Sequence, residues 1–220
     1  MINLSLEQFE NGVKIYQDEG LYKFTSDSIK LAKFCNIKHT DNVLDMCAGS
    51  GVVGFYAYSI NSCNKLYFND IQMEMCELIE KNIKLNSMQD KCIVLCKNLN
   101  ELTLNDFCKR LDVIVCNPPY FKVNGKIKQD EKIAMCRHEM TTSLEQIIQK
   151  SSQLIKDRGR FYLIIPAERM CETINLFNKY NFEAKRIDVY NHQDNATVCI
   201  FEAIKNAKSG VKIKILKESL

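Results

Sequence analysis

Proline is scarce in this chain. There are three prolines in 220 residues, two of them adjacent, and no Pro/Gly-rich stretch, low-complexity tract or internal repeat breaks the sequence. Without a linker signal, one unit over residues 1–220 is expected, with 1–40 as a lead-in and 41–220 as the core. Apolar runs are short too. None approaches the ~20 residues needed to span a bilayer. The first ten residues show no basic segment followed by an apolar one, so no signal peptide is expected, and the cytoplasm is the expected compartment. No pair among the eleven cysteines has C-x-x-C spacing. An odd count without a secretion signal argues against a disulfide framework. The thiols read as small buried hydrophobes in a reducing compartment. Cys92 and Cys96, four apart on an expected strand, share a face and leave a metal pair open there. No other feature implies a metal.

What is present fits a globular protein. Hydrophobic residues make up 46% and charged residues 26%, enough for one good core. The formal net charge is +3 with a pI near 8.2, which permits a polyanionic partner without demanding one. Near-continuous apolar runs at 42–47, 65–69, 92–96, 112–116 and 160–165 suit parallel strands buried on both faces. Between them lie stretches with helical spacing. Met75, Leu78, Ile79 and Ile83 fall on one face of an expected helix over 71–85. Segments 142–156 and 167–180 read similarly, with Ser143 as an N-cap, and a helix over 27–34 is expected with Ser26 as its cap. Strand–helix alternation implies βαβ units and a mostly parallel sheet with helices on both faces. The runs 183–190 and 196–204, separated by a polar turn, predict an antiparallel hairpin that ends the sheet.

The first strand leads into Asp45-Met46-Cys47-Ala48-Gly49-Ser50-Gly51-Val52-Val53-Gly54. Its glycines allow a tight strand-to-helix turn and close ligand approach. Gly49, Gly51 and Gly54 match G-x-G-x-x-G, which would suit a dinucleotide and hence a nicotinamide-dependent oxidoreductase. The acid at the strand end, four residues before Gly49, is out of place for a pyrophosphate cradle. Asp70, at the tip of the next strand, can accept two ribose hydroxyls, and either cofactor class predicts it. Asn117-Pro118-Pro119-Tyr120 follows the fourth strand, where ligands meet parallel sheets. An aromatic or amide amine is a poor nucleophile because its lone pair is delocalised. Two acceptors, Asn117 Oδ1 and the Pro118 carbonyl, can draw its N–H groups out of plane, and their hydrogen bonds strengthen as charge grows on nitrogen. The rigid prolines pre-organise the loop, and Tyr120 can stack on a flat target.

These segments resemble known motifs. The glycine loop with Asp45 resembles motif I of the Rossmann-like class I methyltransferases. Asn117-Pro118-Pro119-Tyr120 resembles motif IV of their amino-methylating branches, which act on adenine N6, cytosine N4 or glutamine N5. Gly20-Leu21-Tyr22-Lys23-Phe24-Thr25-Ser26-Asp27 resembles the G-x-x-F-S-x-D lead-in of the bacterial tRNA1(Val) (adenine(37)-N6)-methyltransferases. Arg137-His138-Glu139 resembles their A-R-H-E, with Cys136 for Ala, and Asn206–Gly210 resembles their K-G-G, with Ser209 for one Gly. The likeness runs from about Tyr16 to Lys212. It implies S-adenosylmethionine as cofactor and N6 of a tRNA adenine as target. It also implies Asp45, Gly49, Gly51, Asp70, Asn98, Asn117, Thr25 and Asp27 as cofactor contacts, with Asn98 meeting the adenine ring where many relatives carry Asp. Asn117, Pro118, Pro119 and Tyr120 become the catalytic set.

A single-stranded anticodon loop lets its adenine be splayed out at modest cost. Lys122, Lys126, Lys128 and Arg137 form one basic group that could track RNA phosphates, and Lys205, Lys208, Lys212 and Lys214 form another. Either could equally be a solvated face. A protein glutamine-N5 methyltransferase remains an alternative, though its usual N-terminal helical domain has no room in the 42 residues before Val43. A silent RNA-binding module is a further one. A monomer is the default expectation.

Overall fold

A computed structural model describes residues 4–18, 24–118, 142–193 and 195–217. Strands β1 (Leu4–Gln8) and β2 (Lys14–Asp18) form a hairpin, followed by helix α1 (Ser26–Phe34). Then come β3 (Asn42–Met46), α2 (Val52–Ile60), β4 (Lys65–Asp70), α3 (Met73–Leu85), β5 (Cys92–Cys96) and β6 (Leu111–Cys116). The later elements are α4 (Leu144–Leu154), β7 (Ile155–Pro166), α5 (Met170–Lys179), β8 (Phe182–His192), β9 (Asn195–Lys205) and β10 (Lys212–Lys217).

The main sheet has the order β10-β8-β9-β7-β6-β3-β4-β5. Strands β5, β4, β3, β6 and β7 run parallel, with β3 at the centre between β4 and β6. The central strand Asn-Val-Leu-Asp-Met is buried at every position, as expected for a strand covered on both faces. One face packs Val43, Phe68, Val113 and Tyr162 against Leu31 of α1, Phe55 of α2, Ile79 of α3 and Ile15 of β2. The other packs Leu44, Tyr67, Ile114 and Phe161 against Ile147 of α4 and Phe177 of α5. This is the mostly parallel sheet with helices on both faces that the strand–helix alternation predicts, and the Rossmann-like class I methyltransferase fold that the motif resemblance implies.

Three expectations need correction, and one reading left open is closed. The 1–40 lead-in, for which no strand is expected, holds a hairpin in which β1 and β2 pair with Leu6 opposite Tyr16. Ser26 does not cap α1. It is the first helical residue, and Thr25 holds the cap position with extended backbone and no side-chain cap bond. Ser143 does cap α4, accepting from the Gln146 N–H at 3.2 Å. The β8–β9 hairpin is antiparallel as expected but does not end the sheet, since β10 adds to β8 in parallel. Cys92 and Cys96 share a face of β5, but four residues of strand separate them by about 13 Å, too far for one metal ion. Burial lifts the Cys92 thiol to about 12 with Cys63 beside it, while Cys96 Sγ lies 3.8 Å from Met73 Sδ.

Candidate functional site

The parallel strands end on one edge of the sheet, and the expected site residues gather there. Asp45 sits one residue before the end of β3 and is 1% exposed. Its Oδ2 accepts the Gly54 backbone N–H at 2.8 Å, while Oδ1 is buried with no hydrogen-bond partner. Burial pushes this carboxyl well above the usual carboxylate range; the Gly54 N–H opposes the rise and the nearby Asp70 adds to it. A buried carboxylate oxygen without a donor is costly unless a ligand supplies one.

The loop after β3 is shaped by its glycines. Gly51 adopts φ +82 just before Val52 opens α2, and a Cβ there would come within 2.8 Å of the Phe55 ring. Gly54 has no such dihedral demand, yet a Cβ on it would meet Phe68 Cε1 at 2.6 Å and Asp45 Oδ2 at 3.0 Å. Gly49, by contrast, has open space where a Cβ would stand, on a backbone with φ +55. The loop therefore packs tightly toward the core and leaves room on its outer side.

Asp70, the last residue of β4, braces the same loop. Its Oδ2 accepts the Gly49 N–H at 2.9 Å and its Oδ1 accepts the Gln72 N–H at 3.0 Å. Desolvation raises its pKa despite these backbone donors. Each oxygen keeps a second lone pair that can serve a ligand hydroxyl. Asn98, after β5, uses Oδ1 to accept the Asn100 N–H at 2.9 Å. Its Nδ2 is a donor, a chemistry suited to a ring nitrogen.

Asn117 follows β6 directly. Its Nδ2 donates to Ser28 Oγ at 2.9 Å, across 89 residues of sequence. Ser28 lies in the first turn of α1 and is 2% exposed. In the same turn Asp27 pairs with Lys30 at 3.1 Å, and the Thr25 carbonyl accepts the Ser28 N–H at 3.1 Å. Helix α1 is fixed at its far end by Arg186, which donates to the Phe34 carbonyl and stacks 3.6 Å from that ring's centroid.

The edge thus brings together Asp45, Gly49, Gly51, Asp70, Asn98 and Asn117, with Thr25 and Asp27 on the helix that Asn117 contacts. Pro118 is the last described residue of its loop. Pro119, Tyr120, Lys122, Lys126, Lys128 and Arg137 lie outside the described residues. The second basic group is placed elsewhere. Lys212 is level with Arg186 and Lys217 with Asn191 on the parallel strand β8, so Lys212 lies about 17 Å back from the ligand edge. Lys208 sits at that far edge, its carbonyl accepting from Lys185 Nζ at 3.1 Å. Lys205 Nζ is committed to the Tyr180 carbonyl at 3.0 Å and to Ser152. Burial lowers the pKa of Lys205.

Three contributors carried no obvious sequence signal. Ser28 is one. Asn69 is another, donating from Nδ2 to the Leu95 and Lys97 carbonyls, both at 2.8 Å, and so tying the ends of β4 and β5. Asn82 of α3 is the third; its Nδ2 reaches the Ser50 carbonyl at 3.0 Å inside the glycine loop.

A curated tRNA1(Val) (adenine(37)-N6)-methyltransferase of Flavobacteriaceae bacterium (strain 3519-10) is 23% identical over 204 residues, covering 86% of this chain and 85% of the relative. The crystal structure of Methanocaldococcus jannaschii Trm5 in complex with adenosine superposes with a TM-score of 0.70 at 20% identity, over 94% of this chain and 57% of that one. The M. jannaschii TYW2 structure in complex with AdoMet gives 0.65 at 14% identity, over 93% and 87%. A family model matches residues 18–161, and on that match the chain belongs to the family described as conserved hypothetical protein 95.

Proposed function

We propose that this protein transfers a methyl group from S-adenosylmethionine to the N6 amine of an adenine in tRNA, with adenine 37 of tRNA1(Val) as the target. It acts as a single unit over residues 1–220, as a cytoplasmic monomer. The observation that carries the reading is the anchored amide of Asn117 on the edge that also holds Asp45 and the glycine loop. The curated tRNA adenine-N6 methyltransferase that aligns over most of both chains supports the choice of substrate.

The residues fit the cofactor. The unpartnered Oδ1 of Asp45 and the open side of Gly49 offer a buried acceptor beside free space. Asp45 would hold the ammonium group, Asp70 the ribose hydroxyls and Asn98 the adenine edge, with Gly51 shaping the loop and Thr25 and Asp27 lining the α1 side. S-adenosylmethionine supplies an electrophilic methyl group on a sulfonium. Asn117 does the rest of the electronic work at the acceptor. Its Nδ2 donates to Ser28; its Oδ1 would accept one N–H of the target amine and the Pro118 carbonyl the other. Both bonds favour a pyramidal nitrogen and strengthen as positive charge develops. When bound, the sulfonium would give up its methyl to the nitrogen lone pair and keep the C–S electrons on sulfur, and the nitrogen would lose its proton to water. Tyr120, next to Pro119 in the sequence, would offer the target a stacking surface. Lys122, Lys126, Lys128 and Arg137 follow as phosphate contacts; Lys208 and Lys212 would meet only RNA that reaches the far edge.

The test is direct. Protein, labelled cofactor and unmodified bulk tRNA are incubated, and tRNA nucleosides are analysed by mass spectrometry. N6-methyladenosine is expected. Label on a release-factor glutamine with RNA untouched would replace the substrate, and nicotinamide dinucleotide binding without response to S-adenosylmethionine would replace the cofactor.

A further inference from the structure

We infer that Cys47 and Cys116 form a redox pair that a peroxide closes into a disulfide, tying the glycine loop to the strand that carries Asn117 and switching the site off. The pairing follows from the backbone. Strands β3 and β6 are parallel neighbours, with Met46 level with Cys116. Cys47 comes next after Met46, and in an undisturbed strand it would face the opposite side of the sheet. Its φ of +59 lies in the left-handed region that favours glycine. That turn breaks the alternation. It returns the Cys47 side chain to the face of Met46 and Cys116, where it packs on the same apolar cluster. One strand spacing across and one residue along put the two Cα atoms about 6 Å apart, within the ~4.4–6.8 Å that a disulfide spans.

The two thiols differ in what reaches them. Both are free; Cys116 is fully buried and Cys47 half-buried. Burial pushes the Cys116 thiol well above the ordinary cysteine range, and its hydrogen bond with the Cys47 side chain and the charge of Asp45 push it further. Cys47 is therefore the thiol that meets an oxidant from solvent, and Cys116 the one that resolves the product. The Cys47 thiolate attacks one oxygen of hydrogen peroxide. The S–O bond forms, the O–O bond breaks, and hydroxide leaves and takes up a proton. The Cys116 sulfur then attacks the sulfenic sulfur. The S–S bond forms, the S–O bond breaks, and the departing hydroxide takes the Cys116 proton. The thiols together lose two electrons, and the peroxide becomes two waters. Two molecules of a small thiol restore the pair and leave as their own disulfide.

Closure reaches both halves of the site. A disulfide holds its sulfurs about 2.05 Å apart, closer than two thiols in hydrogen-bond contact, so one backbone or both must shift. On one side Cys47 stands midway between Asp45 and Gly49. Its loop is held by the Ala48 N–H on the Asn69 carbonyl and the Gly49 N–H on Asp70, both at 2.9 Å. On the other side Cys116 adjoins Asn117 at the end of β6. A displacement of about 1 Å in either place is enough to cost on the order of 100-fold in rate. The effect on activity rests on the functional reading above; the cross-link itself does not.

The full-length protein is treated with hydrogen peroxide, quenched with an alkylating agent and mapped by peptide mass spectrometry. A peptide joining Cys47 to Cys116 is expected, and it should disappear after dithiothreitol. Its absence overturns the inference whatever the activity. Oxidised and reduced protein are then compared by calorimetric titration with S-adenosylmethionine and by single-turnover methylation of unmodified tRNA. Oxidation should slow transfer by at least about tenfold and weaken cofactor binding, and reduction should restore both to within about twofold. Cys116→Ala removes the resolving thiol, and Cys47→Gly removes the attacking one at a φ that suits glycine. Each variant is compared with its own reduced form, and peroxide should change neither by more than about twofold. A cross-link that leaves affinity and rate unchanged overturns the switch. So does a loss that persists in both variants, which would come from exposed thiols such as Cys96, Cys108 or Cys171. A reduced wild type that methylates no RNA overturns the functional reading instead, and the peptide map still decides whether the pair closes.

Discussion

Asp45 Oδ2 receives the backbone N–H of Gly54 at 2.8 Å, and this bond closes the glycine loop back onto the strand from which it springs. The other oxygen of the same carboxylate is buried without a donor. The residue therefore serves the fold with one atom and carries a liability on the other. Asp45→Asn keeps an oxygen for Gly54 and removes the buried charge, so the free protein should become more stable while the cofactor is held less tightly. The pH dependence has a definite sign. The folded carboxyl binds its proton more tightly than the unfolded one, whose pKa is about 4. Its contribution to stability is greatest at low pH and is lost as pH rises through the raised value. Melting temperatures of wild type and Asp45→Asn should accordingly converge near pH 4 and separate toward pH 8, with the variant higher. Loss of a charge-assisted bond of about 1.5–3 kcal/mol should weaken S-adenosylmethionine binding by roughly 10- to 150-fold. Equal cofactor affinity in calorimetric titrations would remove Asp45 from the binding site.

Gly54→Ala probes the same corner by size. Alanine favours a helix over glycine by about 1 kcal/mol, and overpacking a filled core costs about 1–3 kcal/mol. The second effect should win. The new methyl would stand 2.6 Å from Phe68 Cε1, and that ring is fully buried and packed at a tilt against Phe55, the ring centroids 4.7 Å apart. Net destabilisation of about 1–2 kcal/mol is expected in urea melts, along with weaker cofactor binding as the Gly54 N–H is displaced from Asp45. A variant more stable than wild type would mean that the helix term dominates and the contact relaxes cheaply.

Asn117→Ala removes the acceptor and leaves the cofactor residues in place. Methyl transfer should fall by at least ~100-fold, the scale of deleting one oriented polar group that meets developing charge. Cofactor affinity should stay within a few-fold. Single-turnover kinetics beside titration separates the two, and lost cofactor binding with unaffected chemistry would misplace the residue.

The parts of this site that could be read from sequence are those whose chemistry and spacing coincide. Asp45, Asp70 and Asn117 each close an apolar run, and a polar residue at the end of a buried strand has nowhere else to point than the ligand edge. The hairpin β1–β2 was harder. Its strands are five residues long and half polar, yet Asn11-Gly12, with Gly12 at φ +86, lies between runs that alternate Leu4, Leu6 and Val13, Ile15. That dipeptide was the available signal. Strand β10 likewise alternates Lys212, Lys214 with Ile213, Ile215, an edge pattern masked by its exposure. Ser28, Asn69 and Asn82 were illegible for a different reason. Each acts through one to three hydrogen bonds to distant segments, and one polar residue inside a helix or strand has no period from which a partner can be inferred.

Asn82 gives the last prediction. It is 0% exposed on α3, yet it behaves as a piece of strand. Its Oδ1 accepts the Tyr16 N–H at 2.7 Å, and its Nδ2 donates to the Tyr16 carbonyl at 3.2 Å and the Ser50 carbonyl at 3.0 Å. One turn later, Asn86 treats Lys14 the same way, accepting its N–H at 3.0 Å and donating to its carbonyl at 2.7 Å. Two asparagines at i and i+4 thus pair with alternate residues of β2, replacing the ladder that a neighbouring strand would provide. Only Asn82 also reaches the glycine loop. Asn82→Ala strands three polar groups, one in a buried bond and two in part-buried ones, and leaves a small cavity, which should cost about 2–4 kcal/mol. Asn86→Ala, whose pairs are exposed, should cost less than half of that. Hydrogen exchange read by mass spectrometry should show faster exchange across β2 in both variants. Faster exchange at Ser50 and Gly51, with weaker cofactor binding, should appear in Asn82→Ala alone. Equal effects of the two variants on the loop would mean that the hairpin docks independently of the cofactor site, because the bond that distinguishes them would then carry no coupling.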